Sequence, residues 1–169
     1  MRFEALVTEV GQALKAHNRV VVTAESCTGG MIAEALTSVA GSTAWFDRAY
    51  ITYSYESKKE MLGVRESTIE DHGSVSQACV EEMALAALQK SYATLSVSCS
   101  GIAGPEGGTP DKPVGTVWLA WAMQGHDQVG SKCFQFEGDR QSVREQTTEA
   151  ALKGIMLMLE KIEEIKSTK

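Results

Sequence analysis

A short apolar strand that leads directly into a polar turn and then a helix is the feature that most constrains the fold of this chain. The run VVVTA at residues 20–24 is β-branched and almost continuous, which is typical of a strand buried on both faces. A tight polar turn follows at residues 25–30, and residues 31–39 have the composition of a helix. A strand buried on both faces needs a layer of helices on each side of its sheet.

The rest of the chain continues this alternation. Further helices are predicted at residues 3–18, 56–62 and 77–90, and further strands at residues 49–53, 92–100, 116–123 and 128–136. A last helix should begin at residues 139–142 and end near residue 165, with Ser142 and Glu145 as a capping box. We therefore expect an α/β protein, a single-domain three-layer α/β/α sandwich. Its sheet should be mostly parallel. The last two strands resemble a hairpin around Gly125, so the sheet should be mixed rather than purely parallel.

Length and composition predict one soluble domain that spans residues 1–169. Hydrophobic residues make up 43% of the chain and charged residues 22%, and no apolar run reaches the length of a membrane span. Glu4 and Glu9 interrupt the region where a signal peptide would be apolar, which favours a cytoplasmic location without membrane contact. The net charge of −6 argues against a nucleic-acid partner.

The cysteines and histidines show no metal-binding pattern. The four cysteines contain no C-x-x-C pair, and the three histidines are equally scattered. We expect reduced thiols and no metal site. These residues are Cys27, Cys79, Cys99, Cys133, His17, His72 and His126.

Residues 101–115 form a glycine- and proline-rich segment that holds five of the 15 glycines and all three prolines. Glycine lets backbone N–H groups approach a ligand closely, and a loop that leaves a strand end is where open α/β sheets bind ligands. The segment is therefore either a ligand-binding loop or a plain crossover between strands.

Ser26 lies in the turn before the second helix, where a nucleophile can sit and where free N–H groups can hold an anion. The same serine could instead cap the helix. Its neighbour Cys27 is a second candidate nucleophile, or else a small buried thiol.

A serine nucleophile needs a base, and Tyr53 and Lys58 are placed to face the same cleft. A desolvated lysine can accept a proton from serine, whereas an exposed one is only a surface charge. Tyr55 and Lys59 also match the Tyr-x-x-x-Lys spacing of short-chain dehydrogenases, but the chain lacks the glycine-rich dinucleotide turn of that family.

Six motifs occur in one order and together resemble the CinA C-terminal domain family, over about residues 3–165. They are AESCTGG at 24–30, GSTAWF at 41–46, TYS at 52–54 with Lys58, SGIAGP at 100–105, KPVGTV at 112–117 and GDR at 138–140. The resemblance implies an α/β/α enzyme without metal or cofactor that hydrolyses nicotinamide mononucleotide to nicotinic acid mononucleotide and ammonia, in pyridine nucleotide salvage. A homodimer is a further expectation of the resemblance.

The resemblance also implies roles for particular residues. The family's catalytic set corresponds to Ser26, Tyr53 and Lys58, and the arginine of the GDR motif is Arg140. N–H groups at Thr28, Gly29 and Gly30 could stabilise the oxyanion, and Ser100, Gly101 and Gly104 with Arg140 could hold the ribose phosphate. The alternative is a nucleotide-binding or regulatory module without turnover. The preferred nicotinamide compound, and which of Tyr53 and Lys58 accepts the proton, stay open.

Overall fold

The computed structural model describes residues 2–167, whose centre is a five-stranded sheet. Its strands are β1 Val21–Glu25, β2 Phe46–Ile51, β3 Leu95–Gly101, β4 Thr116–Met123 and β5 Gly130–Gln135, in the order β2-β1-β3-β4-β5. β1 runs parallel to both of its neighbours, β2 and β3, whereas β4 is antiparallel to both β3 and β5. The sheet is therefore mixed, as expected, and β4 is the strand that runs against the others.

Helices cover both faces of the sheet. They are α1 Glu4–Ala16, α2 Met31–Thr37, α3 Tyr55–Leu62, α4 Glu66–His72, α5 Gln77–Gln89 and α6 Arg140–Ser167. α1, α2 and α6 pack together on one face, while α5 packs on the other face with α3 and α4 beside it. The three-layer α/β/α prediction is confirmed.

The central strand β3 has two chemically different faces. Leu95, Val97 and Cys99 join the apolar core under α6. On the opposite face, Ser96 and Ser98 donate hydrogen bonds to the carbonyl oxygens of Ala84 and Val80 in α5, at 2.7 and 2.6 Å. These small side chains let α5 lie close to the sheet, and they fix the segment before α5 near the carboxyl end of β3.

Some local predictions are wrong. α4 was not predicted, because residues 66–72 have no apolar face and Thr68 is their buried residue. β2 begins at Phe46, before the predicted residue 49, and ends at Ile51, so Tyr53 lies in the loop that follows. Ser142 does not cap α6. Instead the Asp139 carboxylate accepts the Ser142 N–H at 2.8 Å, because Asp139 immediately precedes the first helical residue.

Gly154 allows α6 to approach β4. A Cβ at this position would lie 2.1 Å from Cζ2 of Trp121, whose indole donates to the Ala151 carbonyl at 3.1 Å. Replacing an exposed helical glycine by alanine raises the free energy of unfolding by about 1 kcal/mol, but overpacking a core lowers it by about 1–3 kcal/mol.

We expect Gly154→Ala to lower the free energy of unfolding in urea, because the added methyl group would overpack the contact with Trp121. Glu160→Ala on the exposed side of α6 is the control. A stabilised Gly154→Ala protein would contradict this packing.

Candidate active site

Several polar side chains meet in a cavity of about 180 Å³ at the carboxyl ends of the parallel strands. Parallel sheets of this kind bind ligands at that edge. The cavity brings together six of the predicted site residues, and the segment before α5 completes its wall. The residues that line it are Ser26, Cys27, Tyr53, Lys58, Ser74, Val75, Ser100, Gly101, Ala103 and Arg140.

A larger hollow of about 520 Å³ lies between β5 and α6, but it lacks comparable chemistry. Its lining is apolar around Phe134 and Leu157, and its Ser131 hydroxyl donates to the Glu81 carboxylate. The smaller cavity is the better candidate, because a hydroxyl and an amine meet inside it.

Lys58 is buried in this cavity, with 1% of its surface exposed. Ser54 and Ser57 form a reciprocal cap at the start of α3, which places Lys58 on the first turns of that helix. The Lys58 Nζ lies 2.9 Å from Ser26 Oγ, 2.6 Å from the Thr52 carbonyl oxygen and 3.5 Å from that of Tyr53. Lys58 is therefore an interior amine, and its interpretation as a surface charge is wrong.

The environment of Lys58 favours the neutral amine. Desolvation lowers the pKa of Lys58 from its ordinary value of 10.5, and no carboxylate hydrogen-bonds to it within residues 2–167. A neutral amine has two N–H donors and one lone pair. Two carbonyl oxygens can take the donors, and the lone pair can accept the Ser26 hydroxyl proton. The contacts thus fit a base beside a serine.

Glu25 organises the turn that carries Ser26, a role that the sequence alone did not predict. Its fully buried carboxylate accepts hydrogen bonds from two hydroxyls and three backbone N–H groups at 2.6–3.0 Å. An ionised carboxylate suits five donors, because it only accepts hydrogen bonds. The donors are the side chains of Thr23 and Thr28 and the N–H groups of Gly30, Ile32 and Ala33.

Ser26 does not cap α2, because the Glu25 carboxylate binds the N–H groups at the start of that helix. The signal in the sequence was an acid shortly before a helix, where a negative charge meets the positive end of the helix dipole. The Ser26 hydroxyl is left to the cavity and to Lys58, while its carbonyl oxygen accepts the Gly29 N–H at 3.0 Å.

Two of the three predicted anion donors of this turn, the N–H groups of Gly29 and Gly30, are engaged inside the turn itself. The Gly29 N–H donates to Ser26, the Gly30 N–H donates to Glu25, and the buried Thr28 hydroxyl donates to Glu25 at 2.6 Å. Both glycines have positive φ, 61° and 104°, so they shape the turn. In the described part of the chain, the N–H groups of Cys27 and Thr28 donate to no other residue.

Tyr53 and Arg140 lie at the mouth of the cavity. The Tyr53 side chain is 58% exposed, and its hydroxyl accepts a hydrogen bond from Arg140 Nη2 at 2.9 Å. Arg140 Nη1 donates to the Gly104 carbonyl oxygen, also at 2.9 Å. The Tyr53 hydroxyl thus contacts Arg140, and Tyr53 reaches Lys58 through its carbonyl oxygen.

The rival assignments of nucleophile and base find no support in the geometry. A hydrogen bond with Cys99, together with burial, raises the pKa of the Cys27 thiol well above its ordinary value, which disfavours the reactive thiolate. Lys59 lies outside the cavity and pairs with Glu66 at 3.0 Å, and Tyr55 is exposed. The dehydrogenase-like spacing of these two residues therefore forms no site.

The glycine-rich segment and the segment before α5 both contribute to the cavity in ways that the sequence did not predict. From the glycine-rich segment, Gly101 and Ala103 reach the cavity. Gly101 is required mainly by packing, since a Cβ there would lie 2.5 Å from the Val117 side chain. Ser74 and Val75 were not predicted, because nothing in their local sequence distinguishes them from an ordinary connection between helices.

Residues 2–167 contain neither a group of metal ligands nor a helix suited to a membrane. No three of their histidine, cysteine, aspartate and glutamate side chains are grouped so that they could hold a metal ion. None of their helices combines the length and the apolar character needed to cross a membrane.

Fold and site together define a class of protein: an α/β/α sandwich with a serine hydroxyl against a buried lysine amine at the carboxyl edge of its sheet. The model of the CinA C-terminal domain matches residues 3–159. The chain belongs to the CinA C-terminal domain family.

Curated relatives and solved structures agree with this assignment. The chain is 53% identical to the nicotinamide-nucleotide amidohydrolase PncC of Escherichia coli (strain K12), over 87% of this chain and 88% of that protein. It is 52% identical to the PncC of Pseudomonas putida, over 89% and 93% of the two chains. The crystal structure of the competence/damage inducible protein CihA from Agrobacterium tumefaciens has a TM-score of 0.89 at 38% identity, covering 94% of this chain and 95% of that one.

The Glu25 carboxylate should be essential for the stability of the turn. In Glu25→Gln an amide N–H₂ replaces one oxygen and faces N–H or O–H donors. We expect a loss of about 2 kcal/mol or more in the free energy of unfolding. Glu34→Gln, an exposed change in α2, is the matched control in the same denaturant titration. Equal stability of the two variants would contradict the role given to Glu25.

Proposed function

We propose that this protein hydrolyses the amide of nicotinamide mononucleotide to nicotinic acid mononucleotide and ammonia. The names of the curated relatives support an amidohydrolase acting on a nicotinamide nucleotide. The observation that carries the mechanism is the 2.9 Å contact between Ser26 Oγ and the buried Lys58 Nζ. Such a pair provides the nucleophile and the base that amide hydrolysis requires.

The reaction proceeds in two halves. The neutral Lys58 amine takes the Ser26 proton while Oγ attacks the amide carbon, and a tetrahedral intermediate forms. The Lys58 ammonium then protonates the leaving nitrogen, ammonia departs, and an ester to Ser26 remains. Water attacks this ester with Lys58 again as base, the ester bond to Oγ breaks, and the proton returns to Oγ. Lys58 is thus the proton acceptor, and Tyr53 helps to shape the cavity mouth.

The oxyanion of the tetrahedral intermediate needs donors beside Ser26. The N–H groups of Cys27 and Thr28 fit this role better than those of Gly29 and Gly30, which already have acceptors in the turn. In nucleophile elbows of the strand–turn–helix type, the N–H of the residue directly after the nucleophile is one of the oxyanion donors. Cys27 contributes its backbone N–H to this step, and its thiol, whose pKa is raised by the hydrogen bond with Cys99 and by burial, has no role in it.

The size of the cavity suggests how the substrate enters. At about 180 Å³ it lies well below the roughly 300–1,000 Å³ of sites that enclose larger ligands. We propose that the nicotinamide ring occupies the cavity against Ser100 and Gly101, and that the ribose phosphate stays at the mouth. There the Arg140 guanidinium, held by Tyr53 and Gly104, provides a cation for the phosphate.

The activity is tested with purified protein and nicotinamide mononucleotide, by measuring ammonia. We expect turnover by the wild type and none by Ser26→Ala, because no ester can form without its hydroxyl. Cys27→Ala is the adjacent control and should keep most of the activity. A folded wild-type protein that binds the nucleotide without releasing ammonia would favour the binding module instead, and a panel with the dinucleotide and free nicotinamide defines the preferred substrate.

The lysine base predicts the pH dependence of the reaction. Activity needs neutral Lys58, whose pKa is lowered by desolvation, so kcat/KM should rise with pH through that lowered pKa and then level off. Lys58→Arg keeps the charge but cannot lose its proton, and should lose roughly 100- to 10,000-fold in kcat. A kcat/KM that rises toward acid pH, or an active Lys58→Arg protein, would exclude Lys58 as the base.

Three broader expectations stay predictions: one amidase domain over residues 1–169, a cytoplasmic location and a homodimer. A role in pyridine nucleotide salvage follows from the proposed reaction, since it returns the amidated mononucleotide to its acid form.

A further inference from the structure

A second arginine on α6 holds the nucleophile turn from outside the cavity. Arg144 lies one helical turn after Arg140. Its Nε donates to the Cys27 carbonyl oxygen at 3.2 Å, and its Nη2 donates to that of Thr28 at 2.9 Å. The remaining Nη1 donates to Gln141 on the same helix at 3.3 Å. Arg144 does not line the cavity, so it acts on the turn rather than on a ligand there.

The carbonyl groups that Arg144 binds belong to the peptide units that follow the nucleophile. A peptide unit is planar and trans, so its C=O and N–H point in opposite directions. The Cys27 carbonyl shares its unit with the Thr28 N–H, which has no acceptor in the described residues. A charged donor on that carbonyl fixes the direction of the N–H and polarises the unit, which makes the N–H a stronger donor.

Arg144 and Glu25 hold opposite sides of one turn. Glu25 binds N–H groups of the turn and of α2, whereas Arg144 binds carbonyl groups of the turn. The turn contains two adjacent glycines with positive φ, so its backbone has few constraints of its own. Removing one of the two charged side chains should therefore let the turn move relative to Lys58, which belongs to a different element.

We propose that Arg144 is a positioning residue for the amidase reaction. It orients and polarises the peptide unit that joins the Cys27 carbonyl to the Thr28 N–H, beside Ser26. The inference rests on the proposed function. Arg144 should affect the transition state through the oxyanion donor, and it should affect ground-state binding little, because it lies outside the cavity.

The test compares Arg144→Met and Arg144→Lys with the wild type by steady-state kinetics and thermal unfolding. A misplacement of about 1 Å can cost on the order of 100-fold, and we expect Arg144→Met to lose that much in kcat with KM within about threefold. Lysine keeps the charge and can bind one carbonyl, so Arg144→Lys should recover roughly tenfold of the loss. Lys153→Met, a charge loss in the same helix, is the control and should keep wild-type kcat.

A second readout separates positioning from folding. The rate at which a fluorophosphonate labels Ser26 depends on the serine, its base and the oxyanion donors, and not on nucleotide binding. It should fall in Arg144→Met in parallel with kcat, in protein that stays folded at the assay temperature.

Several results would overturn the inference. They are a raised KM with unchanged kcat, an unchanged labelling rate, or a loss of activity that merely follows the unfolded fraction. Absence of ammonia release by the wild type would instead refute the proposed function, and the labelling rate would still report on Arg144.

Discussion

The site depends on the hydrogen bonds that the buried Glu25 carboxylate accepts. The carboxylate lies at the end of β1, where the chain must reverse direction into α2, and it gathers five donors from this turn and its surroundings. Burying a charge is unfavourable unless hydrogen bonds replace its hydration, and here they do. One side chain consequently binds the N–H side of the turn, and the Ser26 hydroxyl, on the next residue, faces the cavity.

Lys58 shows the opposite solution to burial. Its neighbours are neutral carbonyl oxygens and a hydroxyl. Desolvation therefore lowers the pKa of its amine. The site thus contains a buried carboxylate that gathers five donors and a buried amine whose hydrogen-bond partners within residues 2–167 are neutral. The proposed reaction uses both features: a hydrogen-bonded turn that holds the nucleophile, and an amine that can accept its proton.

The sequence was informative wherever local pattern and chemistry coincide. Alternating apolar segments predicted the layered fold, and the turn at Ser26 followed by Tyr53 and Lys58 predicted residues that the fold brings to one cavity. Contacts across long sequence separations were less accessible. Nothing near Arg144 indicates that its guanidinium binds the carbonyl groups of Cys27 and Thr28, since that contact exists only once α6 packs beside α2.

The errors have related physical causes. Gly29 and Gly30 match an anion-binding turn, but Glu25 and Ser26 already bind their N–H groups. α4 forms as a polar helix beside α5 without an apolar stripe of its own, so periodicity could not reveal it. Ser74 and Val75 reach the cavity because α5 is held against β3.

The ionisation state of Lys58 is the most direct test of its role as the base. Nuclear magnetic resonance of protein labelled with ¹⁵N-lysine can follow the Lys58 Nζ through a pH titration, with Lys58→Arg to assign its signal. We expect the pKa of Lys58 to lie clearly below the ordinary 10.5, with the amine neutral over the pH range of full activity. A Lys58 that keeps its proton up to pH 10.5 or beyond would contradict it, because a permanently charged ammonium could not take the proton of Ser26.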